Sequence, residues 1–220
     1  MEGKTLQSNQ ASDAGYLRLG DDGNGSATLP GEETKRYKQQ VQILPSPRSQ
    51  SASVVLDGAQ MYLFSGYSSL TMRRALPTFQ TVSSQGLTAE EKIVIDGEES
   101  YSSRLAVAVT LSSGDVLITG GKEREQQVFL VSGLAHKTWH RRADMLTPRI
   151  GHAAVSLQLD GKETVMVAGG WDRLGRTLSS VEIFLVRENV WQEFTAMPSP
   201  RADFSLQARP VPTSDYLKDH

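Results

Sequence analysis

Four histidines, His136, His140, His152 and His220, are the side chains best suited to metal or acid–base chemistry near neutral pH. His136 and His140 are four apart, a ligand spacing on a helix. They flank Trp139 in a stretch that reads as a strand, where residues four apart stand about 13 Å from one another. No carboxylate set converges on them, so no metal and no cofactor is expected. The chain has no cysteine, which excludes thiol nucleophiles, disulfides and Cys-ligated metals. Gly20 to Gly25 lacks the strand–glycine–helix context of a phosphate loop. Asp57 and Asp160 sit beside glycines in turns, and Glu90-Glu91 reads as a solvated loop charge. No catalytic residue is expected.

The remaining chemistry is recognition. Three polar loops read Tyr67-Ser68-Ser69-Leu70-Thr71-Met72-Arg73-Arg74, Lys122-Glu123-Arg124-Glu125 and Trp171-Asp172-Arg173-Leu174-Gly175-Arg176. Tyr, Trp and Arg dominate interface hot spots. The partner-binding candidates are Tyr67, Arg73, Arg74, Lys122, Arg124, Trp171, Asp172 and Arg173. Loop charges of both signs fit a peptide or protein partner better than a polyanion. Across 220 residues, 23 Lys+Arg stand against 25 Asp+Glu, without the basic excess of a nucleic-acid binder. No apolar run reaches the roughly 18 residues of a spanning helix, and Met1-Glu2-Gly3-Lys4-Thr5 opens no apolar leader. The expectation is a cytoplasmic protein with no nucleic-acid or membrane partner.

Those loops recur because the chain repeats. Ser46-Pro47-Arg48, Thr147-Pro148-Arg149 and Ser199-Pro200-Arg201 are copies of one phrase, and Ser102-Ser103-Arg104 reads as a weaker fourth. Arg48, Arg104, Arg149 and Arg201 lie 56, 45 and 52 residues apart. Ser65-Gly66, Gly120-Gly121 and Gly169-Gly170 follow the first three. Trp139 and Trp191 each stand 10 residues before the next arginine, and the same count back from Arg104 reaches Val94. Between the marks run Ala52 to Leu56, Ala106 to Leu111 and Ala153 to Leu157. Each is followed by a turn at Asp57-Gly58, Ser113-Gly114 or Asp160-Gly161, and then by a second apolar run. Short runs of this kind joined by such turns predict β-hairpins buried on both faces. A third strand is clear in Val128 to Val131 and Val181 to Val186, and a fourth carries the tryptophan. Four antiparallel strands per repeat make a propeller blade.

The order Pro-Arg, strand, turn, strand, Gly-Gly, Trp resembles the kelch repeat, whose period is about 50 residues. The third copy, Pro148-Arg149 through Gly169-Gly170 to Trp191, resembles it best. The fold class expected is all-β, an incomplete kelch-type β-propeller of about three full four-stranded blades with partial blades at both ends. The blades are expected at 46–98, 102–144 and 147–197, with a partial blade from 199, inside a repeat region of 36–209. Residues 1–35 read as a flexible segment with a stray strand at Tyr16 to Leu19, and 210–220 as a tail. Tyr37 to Val41 reads as a fourth strand, and Phe204 to Ala208 as a first strand. The glycines admit positive φ and close backbone approach. The tryptophans fill gaps between blades, and the arginines satisfy loop carbonyls. His152 stands where other repeats carry Ser51, Val107 and Phe204, which points to packing.

Kelch resemblance implies a non-catalytic protein-interaction module, including scaffold roles or substrate recognition in ubiquitin ligases. It also implies an alternative, a sugar- or sugar-acid-handling enzyme. Galactose-oxidase-like chemistry is excluded with the missing cysteine. The partial end blades imply a piece of a longer propeller, a small ring, or self-association through open terminal blades.

Overall fold

The computed structural model describes residues 47–56, 60–68, 75–83, 86–87, 90–95, 98–132 and 138–209. The expectations for 1–35, Tyr37 to Val41, Arg73, Arg74, His136, the Asp57-Gly58 turn and 210–220 lie outside them. The described residues form strands and no helix, so among them no helix is long and apolar enough to cross a membrane.

Three antiparallel sheets follow one another along the chain. Blade 1 holds β1 (Ala52–Leu56), β2 (Gln60–Phe64) and β3 (Thr78–Ser83), with β4 (Gly86–Leu87) and β5 (Glu91–Lys92) both paired to β3. Blade 2 holds β8 (Val107–Thr110), β9 (Val116–Thr119), β10 (Val128–Ser132) and β11 (Thr138–Arg142), in that order across the sheet. Blade 3 holds β12 (Ala153–Leu159), β13 (Lys162–Ala168), β14 (Val181–Leu185) and β15 (Val190–Phe194). The hairpin β12–β13 closes on Asp160 and Gly161, at φ +51° and +74°. Positive φ at both central residues is the turn whose twist matches the flanking strands.

Two cores fill the gaps between blades. Phe64, Phe79 and Tyr62 of blade 1 meet Val116, Ile118, Phe129 and Trp139 of blade 2. Val109, Leu117, Val128 and Leu130 of blade 2 meet Val165, Val167, Phe184 and Trp191 of blade 3. Each tryptophan therefore reaches toward the preceding blade. Trp139 lies 5.0 Å from the Tyr101 ring and 5.7 Å, edge-on, from Phe64. Trp191 packs tilted against Phe184, ring centres 4.9 Å apart, and donates its indole N–H to the carbonyl of Ala143. Plates of this size each bury a large apolar area.

Two sequence expectations are corrected here. Val94 does not stand in for a tryptophan of blade 1. It is 58 % exposed and belongs to β6 (Val94–Ile95), which with β7 (Glu98–Ser100) joins the outer edge of blade 2, β6 running parallel to β11. The core place between blades 1 and 2 is filled instead by Ile93 and Tyr101, both buried. Phe204 to Ala208 forms no strand. Residues 202–207 alternate between half-buried and exposed, so one side rests on the molecule while no second strand pairs with them among the described residues.

Candidate functional site

The glycine pairs fix the backbone that carries the recognition loops. Gly66, Gly121 and Gly170 sit at φ +93°, +91° and +93°. Their N–H groups donate to the carbonyls of Ser103, Arg149 and Arg201 at 3.0, 3.2 and 2.8 Å. An added Cβ at Gly170 would lie 2.6 Å from the carbonyl oxygen of Ile150, so only glycine fits there. The next residues, Tyr67, Lys122 and Trp171, form antiparallel bridges with Ser49, Arg104 and Ile150. Three equivalent backbone places thus hold three different side chains.

This register moves one repeat mark. Arg48, Ser103, Arg149 and Arg201 are equivalent, and Arg104 lies one residue further on, level with Ser49 and Ile150. The substitution has a physical reason. Arg149 is fully buried and donates to the carbonyls of Gly169 and Ser180, to the Ser180 hydroxyl and to the Glu182 carboxylate. Arg48 repeats this on Ser65, Thr78 and Glu90. In blade 2 the place of Glu182 holds Phe129, by register against Ile118 as Glu182 is against Val167. A guanidinium there would have no carboxylate. Ser103 fits instead, donating to the carbonyls of Gly120 and Lys122. Glu90 is therefore not a free loop charge. It pairs with Arg48 at 2.9 Å, where the Arg48 side chain is 1 % exposed. Arg201 is exposed on the last segment.

The candidate binding residues divide by environment. Arg124 lies over the Tyr101 and Phe129 rings at 5.5 and 5.7 Å and donates to Gln127, so it braces the inside of its loop. Trp171 is mostly covered, its ring against the Cα of Gly151. Asp172 organises its own loop. Its carboxylate accepts from the Leu174 and Arg176 amides at 2.8 and 2.9 Å and from the Arg176 side chain at 2.7 Å. The Arg176 backbone N–H above all holds this carboxyl below its usual range. The ordered loop presents Arg173 at 63 %, Leu174 at 76 % and Arg176 at 74 % exposure. Arg173 reaches within 4.0 Å of Glu125 across a shallow polar cleft formed by the 123–127 turn and Asp144. Lys122 is exposed, and Tyr67 is partly buried beneath the Arg104 guanidinium, 5.8 Å from its ring centre.

His152 is buried, with Nε2 2.8 Å from the Thr119 hydroxyl and Nδ1 without a partner. Burial, reinforced by Arg149, lowers its pKa to about 3. Its ring presses on Gly120, as the Phe204 ring presses on Gly169. Among the described residues no group of three His, Asp or Glu side chains could hold a metal ion.

One repeated feature escapes residue types. Gln50, Leu105, Gly151 and Asp203, each two residues past the arginine place, share φ +57°, +59°, +60° and +52°. The N–H of Leu105 donates to Gln50, that of Gly151 to Leu105, and that of Asp203 to Gly151, at 2.9, 3.1 and 2.9 Å. Only Gly151 hints at this conformation in the sequence. Leu174 was also missed, because an apolar residue inside a charged loop carries no periodic signal.

Stacked antiparallel blades joined by apolar seams define an incomplete β-propeller. The family model of the Kelch motif matches residues 161–198, within blade 3. Blade 3 thus carries a match to the Kelch motif, in keeping with the repeat order read from the sequence. Alpha-scruin of Limulus polyphemus is 32 % identical over 105 residues, which is 48 % of this chain and 11 % of that relative. The matched stretch thus covers about a tenth of the length of that protein.

Proposed function

We propose that this chain is a non-catalytic protein-interaction module, serving in the cytoplasm as a recognition or scaffold part of a larger assembly. Its contact surface is formed by the loops that follow the glycine pairs. One observation carries this reading. Asp172 pre-orders an outward loop whose Arg173, Leu174 and Arg176 side chains stand mostly in solvent. A loop already ordered before contact loses less entropy on binding, and an exposed leucine between arginines suits a protein surface. The binding reading of Tyr67, Lys122 and Trp171 rests on their common backbone place. Leu174→Asp and Lys122→Glu are expected to deplete the same captured proteins in cross-linking from native extract. Thermal unfolding should stay within a few degrees of the parent. Unchanged capture by both variants would sink this reading.

Self-association belongs to the same proposal. Val155, Leu157 and Met166 of blade 3, each only partly covered, repeat by register the places of Val109, Leu111 and Leu117, which hold blade 3 onto blade 2. On blade 1, Val55 and Met61 are 57 % and 41 % exposed. A second copy offers both kinds of face. Light scattering should give a mass above that of one chain, and a monomer at high concentration would exclude it.

A further inference from the structure

Arg104 and Lys122 face each other as a bridged antiparallel pair. Residues directly opposite in such a bridge have Cβ atoms about 5 Å apart on one side, and like charges there repel. The equivalent pairs are Ser49 with Tyr67 and Ile150 with Trp171, neither of which sets like charges together. Blade 2 therefore carries a doubled positive charge that its fold does not require.

The pair is also under-neutralised. Among the described residues, the nearest carboxylate is Glu123, whose Oε1 is 3.5 Å from Arg104 Nε, longer than a hydrogen-bonded ion pair. Arg104 Nε is buried without a hydrogen-bond partner. Lys122 has no ion-pair partner among the described residues. Glu123 holds its place with φ +78°, an unfavourable conformation for a residue with a side chain. Its side chain is 42 % exposed, and partial desolvation, with Glu125 adding to it, raises its carboxyl above the usual range in spite of Arg104 and Lys122. Tyr67 completes the site, its ring lying under the Arg104 guanidinium and fixing its plane.

We infer that Arg104 and Lys122, set beside Tyr67, form a recognition point for the carboxylate side chains of an acidic peptide segment, with Glu123 as the internal placeholder that the ligand replaces. This rests on the interaction-module reading and names its partner chemistry. An incoming carboxylate meets the fixed guanidinium fork and the free ammonium together, relieving their repulsion.

The test uses a fluorescent hexaglutamate peptide, followed by anisotropy at low ionic strength, where such contacts are least screened. The parent chain should bind hexaglutamate and not hexalysine. Arg104→Gln should weaken binding about tenfold, the loss expected for one charge-assisted hydrogen bond. Lys122→Gln, at an exposed position, gives a second reading should Arg104→Gln fail to fold, and should also weaken it. Glu123→Gln should tighten binding, while Glu193→Gln on β15 should not. Equal binding by the parent and Lys122→Gln, or weaker binding by Glu123→Gln, would overturn the inference. Displacement of the probe by inorganic phosphate at concentrations where free glutamate does nothing would overturn the choice of carboxylate. The wider reading fails separately: loss of the Leu174→Asp effect on protein capture leaves the peptide result intact, and the converse also holds.

Discussion

Arg149 and Glu182 form an ion pair with side chains 0 % and 1 % exposed, and Glu182 also accepts the amides of Leu146 and Thr147. One carboxylate thus ties the start of blade 3 to its third strand. Removing one partner of a buried pair leaves an uncompensated charge, which costs about 3–5 kcal/mol. Glu182→Phe should lose that much. Blade 2 tolerates Ser103 and Phe129 at the equivalent places, so adding Arg149→Ser to Glu182→Phe should recover part of the loss. Urea unfolding of both single variants and the double measures the coupling, and simple additivity would refute it.

His152 should make the fold acid-sensitive. Its folded pKa of about 3 lies below its value of about 6.5 in the unfolded chain. Between these values the unfolded state binds the extra proton, so stability rises with pH and is lost as pH falls from about 6.5 toward about 3. Phe204 occupies the repeat-equivalent place on Gly169. His152→Phe should therefore flatten the pH dependence of the unfolding midpoint in that window. An unchanged slope would mean that other groups carry it.

Two glycines with positive φ should respond unequally to alanine. Gly120, at φ +57°, would place a Cβ 2.6 Å from the Arg149 carbonyl oxygen and 2.9 Å from the His152 ring. Gly161, at φ +74°, has nothing within 4 Å. Gly161→Ala should cost about 1 kcal/mol from backbone conformation alone. Gly120→Ala should cost at least twice that, because backbone must shift. Comparable unfolding midpoints would contradict the close approach.

Asp172 is expected to matter for binding more than for stability. Asp172→Ala removes the acceptor of the Leu174 and Arg176 amides. Those two amides should then exchange faster with deuterium while the β12–β15 amides keep their protection. Capture of partner protein should weaken with little change in unfolding temperature. A large fall in that temperature would make the loop part of the core.

The blade order was legible because each mark has a residue-type requirement: glycine at positive φ, tryptophan at a seam, apolar runs in paired strands. The placing of Arg104 shows where this stops. Sequence alone anchors a weak repeat on its most distinctive side chain, whereas the backbone bridge to Lys122 sets the register and gives the arginine place to Ser103. Val94 was misplaced for a related reason, since a count along the chain cannot show that a strand crosses to pair with β11. Glu90 looked solvated because its partner Arg48 lies 42 residues away. In the binding loops, Asp172 and Arg124 were legible as residue types, but their commitment to their own loops depends on geometry.

The hydrogen-bond series through Gln50, Leu105, Gly151 and Asp203 runs one way. Each carbonyl belongs to the segment synthesised earlier, and each N–H to the segment synthesised later. Beside it, the glycine-pair contacts run the other way, the N–H groups of Gly66, Gly121 and Gly170 donating to the later Ser103, Arg149 and Arg201. Each junction is therefore latched by two backbone hydrogen bonds of opposite direction, so that neither neighbour supplies the donors alone.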